Sequence, residues 1–509
     1  MRREAASYRL GCWTFLRLLG LVYLGAFLSL WVQIEGLVGS RGILPTERFF
    51  GWLSENLGVE RYFEVPTLLW LSHGDAALHA LCGVGVLLAA LLVAGVAPIP
   101  VLFLLWACYL SLVQGGQTFL GFQWDSLLLE TGFCALFLAP AALLPRRPSR
   151  EPLPCRAGLW LMWLLLFKLM FLSGAVKLVS LDRAWWELTA LDFHYYTQPL
   201  PTWTSWHAQR LPSWFQKASV LLMFAIEMGA PLFAFCGSRG RRLAAAAVAL
   251  LMLAIGATGN YGFFNVLTLV LCLPLLDDAL FGRGPGARTE RPGRRWTVQL
   301  ARGLRTAGVA SLIALSALVF VREIVRTRPA GRIDGFAGRL FDAADQALVD
   351  SGSRGLLRST DPFRTINGYG LFRAMTTSRP EIVIEGSDDG SVWKAYEFRW
   401  KPGEPTRPPP FVAPHMPRLD WQMWFAALDP RRQGAWLEGL MGRLLEGSPA
   451  VLGLLGRNPF PAGPPRYLRL TYYRYEFTTA EERRQGGAWW RRERGRDLTR
   501  ALALADLRR

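Results

Sequence analysis

The chain has 509 residues, of which 51% are hydrophobic and only 19% charged, with 57 basic against 39 acidic side chains. Soluble domains carry about 25% charge, so the shortfall excludes an ordinary aqueous protein, and this much apolar surface excludes disorder as the main state. The net charge of +18 would suit nucleic acid, but its placement along the chain argues otherwise.

Nine apolar runs approach the roughly 20 residues that a spanning helix needs. They lie at 13–34, 76–97, 98–114, 126–144, 157–179, 215–236, 243–258, 261–276 and 304–321. No small-x-small site follows Trp31-Val32-Gln33-Ile34, so the first run is expected to remain as a span and not leave as a signal peptide. Basic residues gather in alternate connections. Arg2, Arg3 and Arg9 precede the first run, and Arg146, Arg147, Arg150 and Arg156 separate the fourth from the fifth. Arg239, Arg241 and Arg242 follow the sixth, and Arg283, Arg288, Arg291, Arg294, Arg295 and Arg302 follow the eighth. The opposite connections are poor in base: 115–125 has none. Positive charge marks the cytoplasmic side, so nine spans fit an N-in, C-out arrangement, and the charge orients the chain in a membrane.

Beyond residue 321 no run is long enough to span. Glu381 to Glu385 alternates as a strand does, Asp388-Asp389-Gly390 signals a turn, and Ala395 to Trp400 alternates again. Residues 402–417 are extended and Pro-rich, 420–428 and 436–445 have helical spacing, and Tyr467 to Phe477 is strand-like. The Arg491-Arg492-Glu493-Arg494 run beside Trp489-Trp490 predicts a solvated helix. The expected architecture is a polytopic α-helical membrane bundle, 1–321, followed by a small α+β domain on the exoplasmic side, 322–509.

All seven cysteines lie in the first region, and no N-x-S/T sequon occurs. With 52 Arg against 5 Lys, these features favour a bacterial source. The expected location is then the bacterial plasma membrane, or the endoplasmic reticulum membrane in a eukaryote. The five histidines show no i, i+4 pair and no nearby cysteine pair, so no metal is expected. There is no G-x-S-x-G elbow and no phosphate loop, and no cofactor is implied. Gly282-x-Gly284-x-Gly286 lies in a basic loop with no preceding strand and carries no signal.

Ionisable groups inside spans are costly and face the bundle interior. Lys168 lies 11 residues into the fifth run, roughly 16 Å deep, and Glu227 lies 12 residues into the sixth, so a Lys168–Glu227 pair is expected. Lys177, Glu130 and Asp125 fall toward one leaflet with His194, Asn260, Tyr261 and Asn265. Either these groups satisfy one another and fix helix packing, or they line an exoplasmic-side pocket.

Several blocks are specific: Phe122-Gln-Trp-Asp-Ser-Leu-Leu-Leu-Glu-Thr-Gly132, His194-Tyr-Tyr-Thr-Gln-Pro-Leu-Pro201 and Thr258-Gly-Asn-Tyr-Gly-Phe-Phe-Asn265. Arg418-Leu-Asp-Trp-Gln-Met-Trp-Phe-Ala-Ala427 and Asn458-Pro-Phe460 follow. In order and spacing the chain resembles the lipase maturation factors along nearly its whole length. Animal members are multi-span proteins of the endoplasmic reticulum that help dimeric lipases reach an active fold. The resemblance implies a non-enzymatic maturation factor whose partners are membrane lipid and exported or secretory client proteins, lipases among them. Within its blocks Gln123, Trp124, Tyr196, Gln198, Asn260, Tyr261, Asn265, Asp420, Trp421, Trp424 and Phe425 are motif or client-contact candidates. A shorter stretch, Ser173-Gly-Ala-Val-Lys177-Leu, is similar to part of the membrane bundle of vitamin K-dependent gamma-glutamyl carboxylase. That likeness implies an alternative: a membrane enzyme with Lys177 as base and Glu130, Asp125 and His194 around it. A transporter using Lys168 and Glu227 is a third reading.

Overall fold

The computed structural model describes residues 6–282, 296–329, 335–350 and 353–507. The basic loop with Arg283, Arg288, Arg291, Arg294 and Arg295, and the glycines at 284 and 286, lie outside the described residues, as do Arg2 and Arg3.

Among the described residues seven helices are long and apolar enough to cross a membrane: Arg9–Trp31, Asp75–Ala94, Pro98–Gly115, Arg156–Val179, Ser213–Phe235, Gly237–Thr258 and Gly303–Thr327. Two of the nine expected runs form helices shorter than the rest. The run at 126–144 forms only the 16-residue helix Gln123–Leu138, because Pro140 and Pro145 follow and a proline cannot donate to the helical ladder. The run at 261–276 forms the short segment Phe264–Leu275, whose last turn tightens to 3-10 around Pro274. Both stay apolar and buried. The last long helix runs to Thr327, past the expected limit at 321.

The Ser213–Phe235 helix is not uniform. It is α-helical to Phe224, widens to a π turn over Ala225–Gly229 and tightens to 3-10 over Ala230–Phe235. Pro231 lacks the N–H that a regular ladder needs there, and Glu227 sits within the widened turn.

The C-terminal region builds an antiparallel sheet of order β2-β1-β5-β6 from β1 Arg379–Ser387, β2 Lys394–Ala395, β5 Tyr467–Phe477 and β6 Trp490–Asp497. β1 and β5 pair along their length, Ile382 opposite Tyr472 and Ile384 opposite Leu470. Ile382 and Ile384 are fully buried, as the alternation of the sequence requires. Asp389 closes the turn after β1 by accepting from the N–H groups of Ser391 and Val392 at 2.8 and 2.9 Å. The expected strand over 395–400 splits: β3 Glu397–Phe398 leaves the sheet to pair with β4 Leu455–Arg457. Helices Arg418–Leu428 and Gly434–Leu445 agree with the helical spacing. The basic run after Trp489 is corrected from helix to strand: in β6 Arg491 lies opposite Glu476 and Glu493 opposite Arg474, and opposite charges across strands favour the pairing.

One continuous apolar core joins the helices to the C-terminal region. At the seam Trp124 packs edge-on against Trp421 with ring centroids 4.6 Å apart, and Phe122 meets both Trp421 and Phe425. Two close backbone approaches lock the same seam. A Cβ on Gly36 would lie 2.4 Å from the Ala450 carbonyl oxygen, and one on Gly439 would lie 2.5 Å from that of Ile43.

Candidate functional site

Lys168 and Lys177 stand on one helix, Arg156–Val179, nine positions apart. At 100° per residue they project from opposite faces, and each takes the carboxylate that its own face meets. Lys168 reaches Glu130 on the Gln123–Leu138 helix, 2.5 Å away. Lys177 reaches both oxygens of Glu227, at 2.8 and 2.7 Å. The expected Lys168–Glu227 pair is therefore corrected. Depth counted along each run ignores the rotation of the helix and the different heights at which the runs begin.

Glu130 is held by the C-terminal region as well. Its second oxygen accepts from the Asn367 N–H at 2.8 Å and the Tyr369 hydroxyl at 2.7 Å. Asp125 forms a two-bond pair with Arg418, at 2.8 and 2.9 Å, and accepts from the Tyr109 hydroxyl at 2.6 Å. Asp125 and Glu130 are thus spent on docking the C-terminal region, and neither lies beside Lys177.

The block at 194–201 is read out by the same region. Arg379 donates to the backbone oxygens of Tyr196, Gln198 and Pro199 while bonded to Glu381. Tyr196 donates to the Thr377 carbonyl, and Trp424 donates to the Thr197 carbonyl. Asn260 clamps the Pro-rich segment, donating to the Pro410 oxygen and accepting from the N–H groups of Val412 and Ala413. Gln123 accepts from the Gly370 N–H at 3.3 Å. Asp420 accepts from the N–H groups of Trp400 and Lys401, and burial pushes its carboxyl up although these bonds oppose the shift.

Trp124, Trp421 and Trp424 are buried and Phe425 half-buried, and the rings pack in the seam between the helices and the C-terminal region. Sequence reasoning missed Arg418, Asn367, Tyr369 and Arg379 as the partners of those buried groups. Arg418 heads a quoted block and was available as a signal, whereas Asn367-Gly-Tyr-Gly370 gives only a turn.

Beside Lys177 lies a cavity of about 500 Å³, lined mostly by apolar side chains, with Lys177, Glu227, His194, Tyr261 and Asn265 on its wall. Gly174 lies one turn before Lys177, and a Cβ there would meet Met228 at 2.7 Å, so glycine lets the Glu227 turn approach. His194, on the short helix Ala190–Thr197, places Nε2 3.0 Å from the Tyr261 hydroxyl, which also bonds Gln198 at 2.8 Å. Burial and the nearby Lys177 charge lower the His194 pKa to about 4. Of the expected pocket, Lys177, His194, Tyr261 and Asn265 come together, Glu227 stands beside Lys177, and Glu130, Asp125 and Asn260 do not line it. Lys177 is engaged with both oxygens of one carboxylate, so it is not presented as a free amine. Among the described residues no group of three His, Cys, Asp or Glu gathers to hold a metal ion.

A helical membrane region joined to an α+β region through a buried ion pair and buried hydrogen bonds defines an integral membrane protein. Residues 10–283 match the family model described as the lipase maturation factor transmembrane domain, and residues 365–499 that of the lipase maturation factor C-terminal domain. The chain belongs to the lipase maturation factor family. It is 37% identical to lipase maturation factor 2 of Rattus norvegicus, over 98% of this chain and 84% of that protein. It is 38% identical to lipase maturation factor 2 of Homo sapiens with the same coverage. With lipase maturation factor 1 of Bos taurus it shares 33% identity, over all of this chain and 91% of that one. No solved structure matches it.

Proposed function

We propose that this protein is a membrane-resident maturation factor for exported or secretory proteins, lipases among them, acting without a catalytic step of its own. The observation that carries this reading is the family likeness, which extends through both regions to relatives named for lipase maturation. The spending of Asp125, Glu130, Lys168 and Glu227 on internal pairs supports it. In this reading the N-terminus is cytoplasmic and the C-terminal region exoplasmic, which the gathering of arginines in alternate connections between the nine apolar runs supports. The membrane is that of the endoplasmic reticulum in a eukaryote and the plasma membrane in a bacterium.

The test is deletion of the gene in its source and complementation with the full chain, measuring the specific activity of secreted lipase. The expected result is loss of active lipase with little change in its synthesis, restored by the wild-type chain. Unchanged lipase activity, with no exported protein recovered by cross-linking to the C-terminal region, overturns the proposal. A reporter fused after residue 330 that is active in the cytoplasm overturns the orientation.

A further inference from the structure

We propose that the cavity beside Lys177 binds a neutral, hydroxyl-headed lipid that enters from the membrane between the Ser213–Phe235 and Gly237–Thr258 helices. The inference adds a ligand to the protein and rests on the membrane placement of these two helices, not on the identity of any client.

The rim comes first. Leu222 and Leu250, which line the cavity, are 55% and 59% exposed, and Ala254 and Ala257 beside them are exposed too. All four stand on helices long and apolar enough to span. An opening framed by such side chains faces acyl chains, so what enters is itself largely apolar. The volume of about 500 Å³ falls within the roughly 300–1,000 Å³ of ordinary ligand sites.

The polar end then selects the head group. Gln198 Nε2 donates to the carbonyls of Tyr195 and Thr258, which fixes its Oε1 as the acceptor for the Tyr261 hydroxyl. The single tyrosine proton being used there, the contact from Tyr261 to His194 must be made by His194 Nε2–H donating to the hydroxyl oxygen. In the neutral ring Nδ1 is then an acceptor, and it is buried without a partner. Asn265, 8% exposed, likewise has its Oδ1 buried without a partner. Buried polar atoms are normally bonded, and two unmet ones on residues that line one cavity mark where a ligand group is expected.

Both unmet atoms are acceptors. A carboxylate or phosphate head brings only acceptors and negative charge, and would meet them beside Glu227, whose neutralising Lys177 is already engaged. A cationic head would bury a charge with no free counterion, since Lys177 and Glu227 cancel. A hydroxyl donates one bond, accepts others and carries no charge. It also suits the amide nitrogen of Asn265 next to the unmet oxygen. A monoacylglycerol, with one apolar chain and a head of two hydroxyls, has the required chemistry: one O–H for each unmet acceptor.

The experiment uses the full-length protein in nanodiscs and a monoacylglycerol carrying a photoactivatable group in its acyl chain. Labelling is expected to concentrate on peptides from 213–226 and 250–258. Monooleoylglycerol should compete at roughly tenfold lower concentration than oleate or 1-octadecene, the difference one good hydrogen bond makes. Asn265→Leu should remove that preference. Ala254→Trp, at the exposed rim, should block labelling while leaving the polar end intact, and serves if Asn265→Leu does not fold. Labelling spread evenly over all spanning helices, equal competition by oleate, or unchanged labelling of Ala254→Trp overturns the proposal.

Discussion

The pair between Asp125 and Arg418 allows the sharpest test of how the two regions are held together. Each side chain is 1% exposed, the two groups share two bonds, and Arg418 also donates to the Phe119 carbonyl at 2.8 Å. Arg418→Met strands a buried carboxylate, and Asp125→Leu strands a buried guanidinium. Breaking a buried pair from one side costs about 3–5 kcal/mol. Removing both charges leaves the Tyr109 hydroxyl and the Phe119 oxygen unmet, a cost of about 1–3 kcal/mol. The double variant should therefore be more stable than either single one, with a coupling energy of about 3 kcal/mol or more. Unfolding of the detergent-solubilised protein in graded sodium dodecyl sulfate, followed by tryptophan fluorescence, measures the four corners of this cycle. Costs that add to within about 0.5 kcal/mol would refute the claim that this pair joins the regions.

Glu130→Gln leaves Lys168 without its counterion and weakens the hold on Asn367 and Tyr369. Faster proteolysis between residues 353 and 378 is expected, and an unchanged cleavage pattern counts against that docking. Gly36→Ala and Gly439→Ala press a methyl onto a backbone oxygen and should each cost about 1–3 kcal/mol. Gly442→Ala, which meets nothing within 4 Å, should not, and equal midpoints for all three would contradict the close seam. His194 predicts a pH dependence. Its pKa of about 4 in the folded chain lies below the roughly 6.5 of an unfolded one, so between these values the unfolded state binds the extra proton. Stability contributed by neutral His194 is thus complete above about pH 6.5 and falls as the pH drops toward 4, by up to about 1.4 kcal/mol per unit. Wild type minus His194→Gln, measured from pH 4 to 7.5, should show this slope, and parallel curves would refute it.

The order and extent of most elements were legible in local sequence. Apolar runs of sufficient length become helices because a backbone in an apolar environment must bond within itself, and β5 occupies the very stretch whose pattern alternates. Local pattern could not decide which buried charges meet. Lys168 and Lys177 look equivalent in sequence, yet the half-turn between them sends one to Glu130 and the other to Glu227. Asp125 finds its cation 293 positions away, at a distance no periodicity reports. The apolar runs and the shortage of charge placed the chain in a membrane, because they fix how much of it must avoid water. The cavity exists only because a π turn, a glycine and a short helix converge in three dimensions, and that convergence is set by packing.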